Sequence, residues 1–206
     1  AAPLHQPGDA PEPWLRALKG KHKQLFHSHD KMDATVLWQA RTFLDLYREA
    51  YGVAAEEVNV VVAAHGKTGG MLLNDALWGK YELGKMYDVK MLDPNPPATT
   101  ARADSAATPS APSAPARPPR IPATRNVYHA PQAGDPVDAR TSIDALAKLG
   151  VTFLLCNNAL KQFASYTARK SGVSVEAAHR ELTENLVPGT VLVPTMLIAI
   201  NRAQGW

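Results

Sequence analysis

Two short apolar runs constrain the fold of this chain more than any other feature. Residues 58–64 read VNVVVAA and residues 151–155 read VTFLL. Runs this short and this rich in β-branched side chains are typical of strands covered on both faces, as in a parallel sheet. The longest apolar runs, 58–64 and 191–200, are too short or too interrupted to cross a bilayer.

Helical patterns alternate with these runs. Apolar residues recur every three to four positions from Val36 to Ala50, after Asp33 as a cap and before Gly52 as a stop. The sequence predicts one helix after the turn at 65–70, another between Thr141, its expected cap, and Gly150, and more at about 158–169, 175–186 and 195–204. Short strands are expected at 24–27 and 190–193. This alternation predicts a three-layer α/β fold with a mostly parallel central sheet of four to five strands.

A segment rich in proline and alanine interrupts the predicted domain. Nine of the 30 residues from 94 to 123 are proline, which fixes φ and removes backbone donors, so neither a helix nor a central strand is expected there. We therefore divide the chain into an N-terminal extension at 1–21, a linker insert at 94–123, and two parts of one α/β domain at 22–93 and 124–206.

Composition limits the function classes. The single cysteine excludes an internal disulfide framework and a zinc site built from several thiolates. The net charge is only +3 and no dense basic block is present, so nucleic acid is not an expected partner. The start at Ala1-Ala2-Pro3 is of the kind that cleavage of an export signal leaves, which predicts an exported or periplasmic protein, with a cytoplasmic protein as the alternative.

Several residues with reactive or ligating groups come directly after the predicted strands. Ligand sites in open parallel sheets lie at the carboxyl ends of the strands. If the strands at 24–27, 58–64 and 151–155 are neighbours, seven candidate residues share that edge: His27, His29, His65, Gly66, Cys156, Asn157 and Asn158.

The predicted roles depend on the chemistry of each group. Cys156 at a helix start is a candidate nucleophile, with a buried structural thiol as the alternative. His65 is expected to assist the thiolate, act as acid or base, or ligate a metal, or else to satisfy backbone groups in a tight turn. His27 and His29 share a face of a strand and are weak candidate metal ligands.

Two further groups have ordinary structural alternatives. Asn157 and Asn158, with Gly66, are candidate substrate-binding residues, although asparagines at such a position also serve as caps and turns. The run Gly66-Lys67-Thr68-Gly69-Gly70 resembles half of a phosphate-binding loop but lacks the P-loop spacing, so a plain glycine turn is the favoured interpretation.

Three stretches resemble the DsrE/DsrF-like sulfur-relay family, which has the YchN-like fold. They are residues 60–66 (VVVAAHG), 146–160 (LAKLGVTFLLCNNAL) and 184–206 (ENLVPGTVLVPTMLIAINRAQGW). The resemblance implies a small α/β fold that commonly assembles into trimers or hexamers, and a cysteine that carries sulfur as a persulfide to a protein partner. Cys156 corresponds to the family cysteine, and His65 to the family histidine.

These observations leave three functional hypotheses open. The first is a sulfur-relay or thiol-handling protein that carries sulfane sulfur on Cys156, which makes it a carrier or transferase if it is active. The second is a non-catalytic accessory subunit that docks on a larger assembly through its N-terminal arm and proline-rich insert. The third is metal or haem binding through His27, His29, His65 or Cys156.

Overall fold

The computed structural model describes residues 12–96 and 118–205. Predictions for 1–11, 97–117 and 206 lie outside these residues. In chain order, the helices and strands are α1 (Pro13–Ala17), β1 (His22–Ser28), α2 (Thr35–Tyr51), β2 (Val58–Ala64), α3 (Asp75–Lys80), α4 (Leu83–Met86), β3 (Lys90–Leu92), β4 (Arg120–Pro122), α5 (Ile143–Lys148), β5 (Thr152–Cys156), α6 (Asn157–Ser171), α7 (Val175–Glu184), β6 (Val191–Val193) and α8 (Met196–Gln204). None of the helices in this part of the chain is long and apolar enough to span a membrane.

The central sheet has four strands in the order β1-β2-β5-β6, and every neighbouring pair is parallel. The strands are in register, so His27, Ala63, Leu154 and Val191 lie in one row across the sheet. The predicted three-layer α/β fold with a mostly parallel sheet is therefore confirmed. A separate antiparallel ribbon joins β3 to β4.

Each face of the sheet carries its own apolar cluster because side chains alternate along a strand. Val60, Val62 and Ala64 of β2 face the larger cluster, which includes buried residues of α2, α3, α5, α6 and α7. Val61 and Ala63 face the smaller cluster, formed with α1 and α8. Trp14 and Leu18, placed by sequence in an N-terminal extension, are buried in this second cluster.

Two helix starts differ from the prediction. Ser142, not Thr141, caps α5, because the Ser142 hydroxyl accepts a hydrogen bond from the Ala145 amide at 3.1 Å. The Thr141 hydroxyl instead donates to the Asp138 carbonyl in the preceding 3-10 turn. Asp33 accepts from the Thr35 amide at 3.1 Å as expected, although Ala34 occupies the cap position of α2.

One strand lies within the segment assigned to the linker insert. Arg120–Pro122 pairs with Lys90–Leu92, and the next residue, Ala123, is buried. Proline is tolerated here because β4 belongs to a two-stranded ribbon, where an amide can face away from the partner strand. The folded chain therefore resumes before residue 124.

Candidate functional site

The carboxyl ends of β1, β2 and β5 lie side by side, as the sequence predicted. Ser28 pairs with Ala64, and Ala64 pairs with Leu155. The next residues along the three strands, His29, His65 and Cys156, are therefore at the same level of the sheet. Backbone register thus places the predicted chemical groups at one edge, and side-chain packing decides which of them meet.

Three imidazoles meet at the ends of β1 and β2, and we call His27, His29 and His65 the histidine cluster. The Nε2 atoms of His27 and His65 are 3.0 Å apart, and their ring centroids are separated by 4.5 Å. The ring of His29 lies against His65 with a centroid separation of 4.4 Å and an interplanar angle of 72°. His65 is therefore the central member of the cluster.

The orientation of His29 is held by two neighbours. Its Nδ1 lies 2.6 Å from the Asp30 carboxylate and donates its hydrogen to it, so Nε2 is the nitrogen that this contact leaves unengaged. A Cβ atom placed on Gly66 would lie 2.8 Å from both Cδ2 and Nε2 of His29, and Gly66 also has a φ of 59°. Gly66 therefore leaves room for the His29 ring, a role that the sequence did not suggest.

Electrostatics favours the neutral form of two of these imidazoles. Partial burial lowers the pKa of His65, and the charges that His27 and His29 would carry lower it further. Partial burial also lowers the pKa of His27, with repulsion from His29 as the smaller cause. Neutral imidazoles keep a free lone pair, which is the form that binds metal ions.

An open cleft of about 320 Å³ borders the histidine cluster between the end of β1 and the start of α2. His27 and His29 line it together with polar and charged side chains: Ser28, Asp30, Lys31, Asp33, Thr35 and Gln39. The side chain of His29 is 52% exposed, so water and small solutes reach the cluster.

Cys156 lies in a different environment. It is 4% exposed and belongs to the apolar cluster under α8, with Val193 and Met196 among its members. Its Sγ accepts a hydrogen bond from the Met196 amide at 3.4 Å. Among the described residues, the ring contacts of His65 are with His27 and His29, so the structure does not bring its imidazole to the Cys156 sulfur.

The two asparagines lie in different surroundings. The Asn157 Oδ1 is 2.7 Å from Nε2 of His179 on α7, a contact that joins α6 to α7. Asn158 is exposed in the first turn of α6. His179 had no sequence signal as a partner of Asn157, because a contact across 22 residues arises only when the two helices pack together.

In the histidine cluster, two nitrogen atoms already lie at the separation that binding to one metal ion requires. Two nitrogens bound to one metal ion at about 2.0–2.1 Å, with an angle of about 90° to 109° between them, are about 2.9–3.4 Å apart. The Nε2 atoms of His27 and His65 satisfy this condition at 3.0 Å. Within residues 12–96 and 118–205, no three His, Cys, Asp or Glu side chains are arranged to hold a metal ion, so the third imidazole, His29, is not placed as a ligand in this structure.

The fold and site define an α/β protein whose parallel sheet carries a solvent-accessible histidine cluster at its carboxyl edge. No protein-family model, no curated protein and no solved structure matches the chain. The DsrE/DsrF-like resemblance therefore stays a prediction that rests on the sequence of residues 60–66, 146–160 and 184–206.

Proposed function

We propose that the protein binds a divalent transition-metal ion at the histidine cluster. The observation that carries this proposal is the 3.0 Å separation of the His27 and His65 Nε2 atoms. Without a metal, this distance fits a hydrogen bond from one neutral imidazole to the other. To hold one metal ion through both Nε2 atoms, the donor imidazole would shift its hydrogen from Nε2 to Nδ1, and both rings would turn their lone pairs toward the ion. The separation of the two nitrogens, rather than the orientation of the rings, is therefore the feature that is organised in advance.

The ligand chemistry selects a class of metal. Imidazole nitrogens suit Zn²⁺, Cu²⁺ and Ni²⁺, whereas Mg²⁺ and Ca²⁺ prefer oxygen ligands. The charged and polar lining of the cleft favours a hydrated ion over haem, because a haem needs extensive apolar walls. A turn of the His29 ring would supply the third nitrogen, and the ion would then border the open cleft that His27 and His29 line. This arrangement is typical of sites that exchange a ligand or transfer the metal, rather than of closed structural sites.

Titration of the metal-free protein with Zn²⁺ and Cu²⁺ tests the proposal. We expect one ion to bind per chain. Loss of an outer-shell partner costs about 10–100-fold in metal affinity, and we expect His65→Ala, which removes a ligand, to cost more than that. His22→Ala is the matched control, since His22 lies on the same strand as His27, at its other end. Absence of binding, or an equal loss of affinity in both variants, would contradict the proposal.

Sulfur relay at Cys156, the first expectation from the family resemblance, needs a donor to reach the sulfur. The start of α8 covers that atom and its Met196 amide is bonded to it, so a carrier role requires α8 to move away. The accessory-subunit hypothesis depends on the N-terminal arm at 1–21 and the insert at 94–123, of which residues 1–11 and 97–117 lie outside the described part of the chain. Both remain predictions, and the accessible histidine cluster has the stronger geometric support.

A further inference from the structure

The glycine-rich turn at 66–70 places a buried threonine between the two segments that carry the histidine cluster. Thr68 is in the 3-10 helix Gly66–Leu72 and is 0% exposed. The sequence pattern suggested a plain turn or an anion-binding loop there, and neither explains why a hydroxyl side chain is fully buried at this point. A buried hydroxyl needs hydrogen-bond partners, and the partners of Thr68 show its role.

The contacts of Thr68 join the end of β1 to the end of β2. Its Oγ1 lies 2.7 Å from the Ser28 carbonyl oxygen and 2.9 Å from the His65 carbonyl oxygen. One hydroxyl hydrogen is therefore shared between the carbonyls of both segments. The Thr68 amide also donates to the His29 carbonyl at 3.3 Å. A single residue thus contacts the backbone on both sides of the cluster.

These contacts matter because the cluster extends past the regular pairing of β1 with β2. The last registered pair is Ser28 with Ala64, so His29 and His65 lie one residue beyond it. Beyond that pair, the His65 amide still donates to the Ser28 carbonyl at 3.1 Å. The bonds of Thr68 to both backbones further limit how far the two histidine-bearing segments can move apart.

We propose that Thr68 is a positioning residue of the metal site. It holds the His65 segment against the end of β1, so that the His27 and His65 Nε2 atoms stay at the separation that one metal ion requires. This inference rests on the proposed metal-binding function. It adds that the affinity depends on a hydroxyl group that touches neither the metal ion nor any imidazole ring.

A second buried threonine provides a control that distinguishes the positioning of the histidine cluster from a general effect on stability. Thr167 is also 0% exposed, and its hydroxyl donates to the Ala164 carbonyl at 3.1 Å within α6. Thr68→Val and Thr167→Val make the same chemical change at equally buried sites. Only the first removes a contact between the segments of the histidine cluster.

The experiment measures Zn²⁺ affinity and unfolding by denaturant for Thr68→Val, Thr68→Ser and Thr167→Val. We expect Thr68→Val to weaken affinity by roughly 10-fold or more, in the range for lost outer-shell partners. Thr68→Ser keeps the hydroxyl and is expected to retain affinity within about 2-fold, a small difference for a hydrogen bond that is kept. Thr167→Val should lose stability but keep its affinity.

The proposal is overturned if Thr68→Val binds Zn²⁺ like the unaltered protein, or if Thr167→Val loses as much affinity. If Thr68→Val does not fold, Thr68→Ser decides, because a folded serine variant with weak binding contradicts a role for the hydroxyl. NMR of the metal-free protein gives a separate readout, since the His27 and His65 rings should be in contact in the unaltered protein and not in Thr68→Val. That readout tests Thr68 even if the unaltered protein binds no metal.

Discussion

The histidine cluster and Cys156 occupy the same edge of one sheet but differ in accessibility. His65 and Cys156 each come one residue after the paired residues Ala64 and Leu155. The His29 side chain is 52% exposed in an open cleft, whereas Cys156 is 4% exposed beneath α8. The histidine cluster is therefore accessible to solutes, whereas Cys156, which the sequence placed at the same edge, is shielded from them.

The difference arises from the segments that cover the end of each strand. At the end of β5, the N-terminus of α8 places the Met196 amide on the sulfur, and apolar side chains fill the surrounding space. At the end of β1, polar residues lead into α2 and leave a cleft. Adjacency in a parallel sheet thus predicts which residues share an edge, while the packing of the neighbouring helices decides which of them are available.

The strongest expected contrast concerns chemical labelling. We expect the Cys156 thiol in the folded protein to react with a thiol reagent at least about 100-fold more slowly than in the unfolded chain, because reaction requires local opening. Diethyl pyrocarbonate should modify the accessible His29 without unfolding. Mass spectrometry after each reagent measures both rates.

A sulfane-sulfur donor extends the same test. Rapid persulfide formation on Cys156 of the folded protein would contradict the inaccessibility of the thiol and support the sulfur-relay hypothesis. Persulfide formation that appears only in denaturant would agree with the buried position.

Substitution of Gly66 should damage the cluster specifically. Gly66→Ala adds a Cβ that collides with His29, so we expect metal affinity to fall by roughly 10-fold. Gly172→Ala is the matched control, because Gly172 also has a positive φ, 69°, but nothing lies within 4 Å of its Cβ position. Each variant should lose about 1–2 kcal/mol of stability from the left-handed conformation, while calorimetric titration should show weakened binding only for Gly66→Ala. Equal affinities would contradict a specific effect of Gly66 on the histidine cluster.

Removal of the thiol should affect stability and leave metal binding unchanged. Cys156→Ala deprives the Met196 amide of its sulfur acceptor, so we expect the free energy of unfolding to fall by about 1 kcal/mol. Denaturant titration measures this loss, and calorimetry with Zn²⁺ measures the affinity. A large loss of affinity would show that the sulfur belongs to the metal site.

The smallest expected effect is on pH dependence. His27 and His65 should titrate below the ordinary imidazole pKa of about 6.5 in the metal-free folded protein, because partial burial disfavours their charged forms. Repulsion from His29 lowers both pKa values further, and repulsion from His27 also lowers that of His65. The unfolded chain then takes up protons first as the pH falls through about 6.5, so stability decreases below that pH. NMR titration of the ring signals checks this, and midpoints at or above those of the urea-unfolded chain would contradict it.

Periodicity and strand composition predicted the architecture well. The runs 58–64 and 151–155 became adjacent buried strands, and the helical pattern from Val36 to Ala50 became α2. These features depend on local sequence, because an apolar run covered on both faces has few alternatives to a central strand. The convergence of His27, His29 and His65 agrees with the rule that parallel strands end at one edge.

Features that depend on packing between distant segments could not be predicted. The cover over Cys156 comes from Met196, 40 residues further along the chain, and the Gly66–His29 contact depends on how two loops pass each other. The roles of Thr68 and His179 are likewise set by partners far away in sequence. No local pattern distinguishes these residues from ordinary turn or surface residues.

X-ray absorption spectroscopy of the Zn²⁺-loaded protein tests the metal assignment most directly, because it identifies the atoms bound to the ion. The structure predicts a first shell of nitrogen and oxygen at about 2.0–2.1 Å with the outer scattering of two or three imidazoles. A sulfur contribution at about 2.3 Å would show instead that the ion binds Cys156. Failure of the protein to retain any metal would contradict the histidine cluster as a binding site.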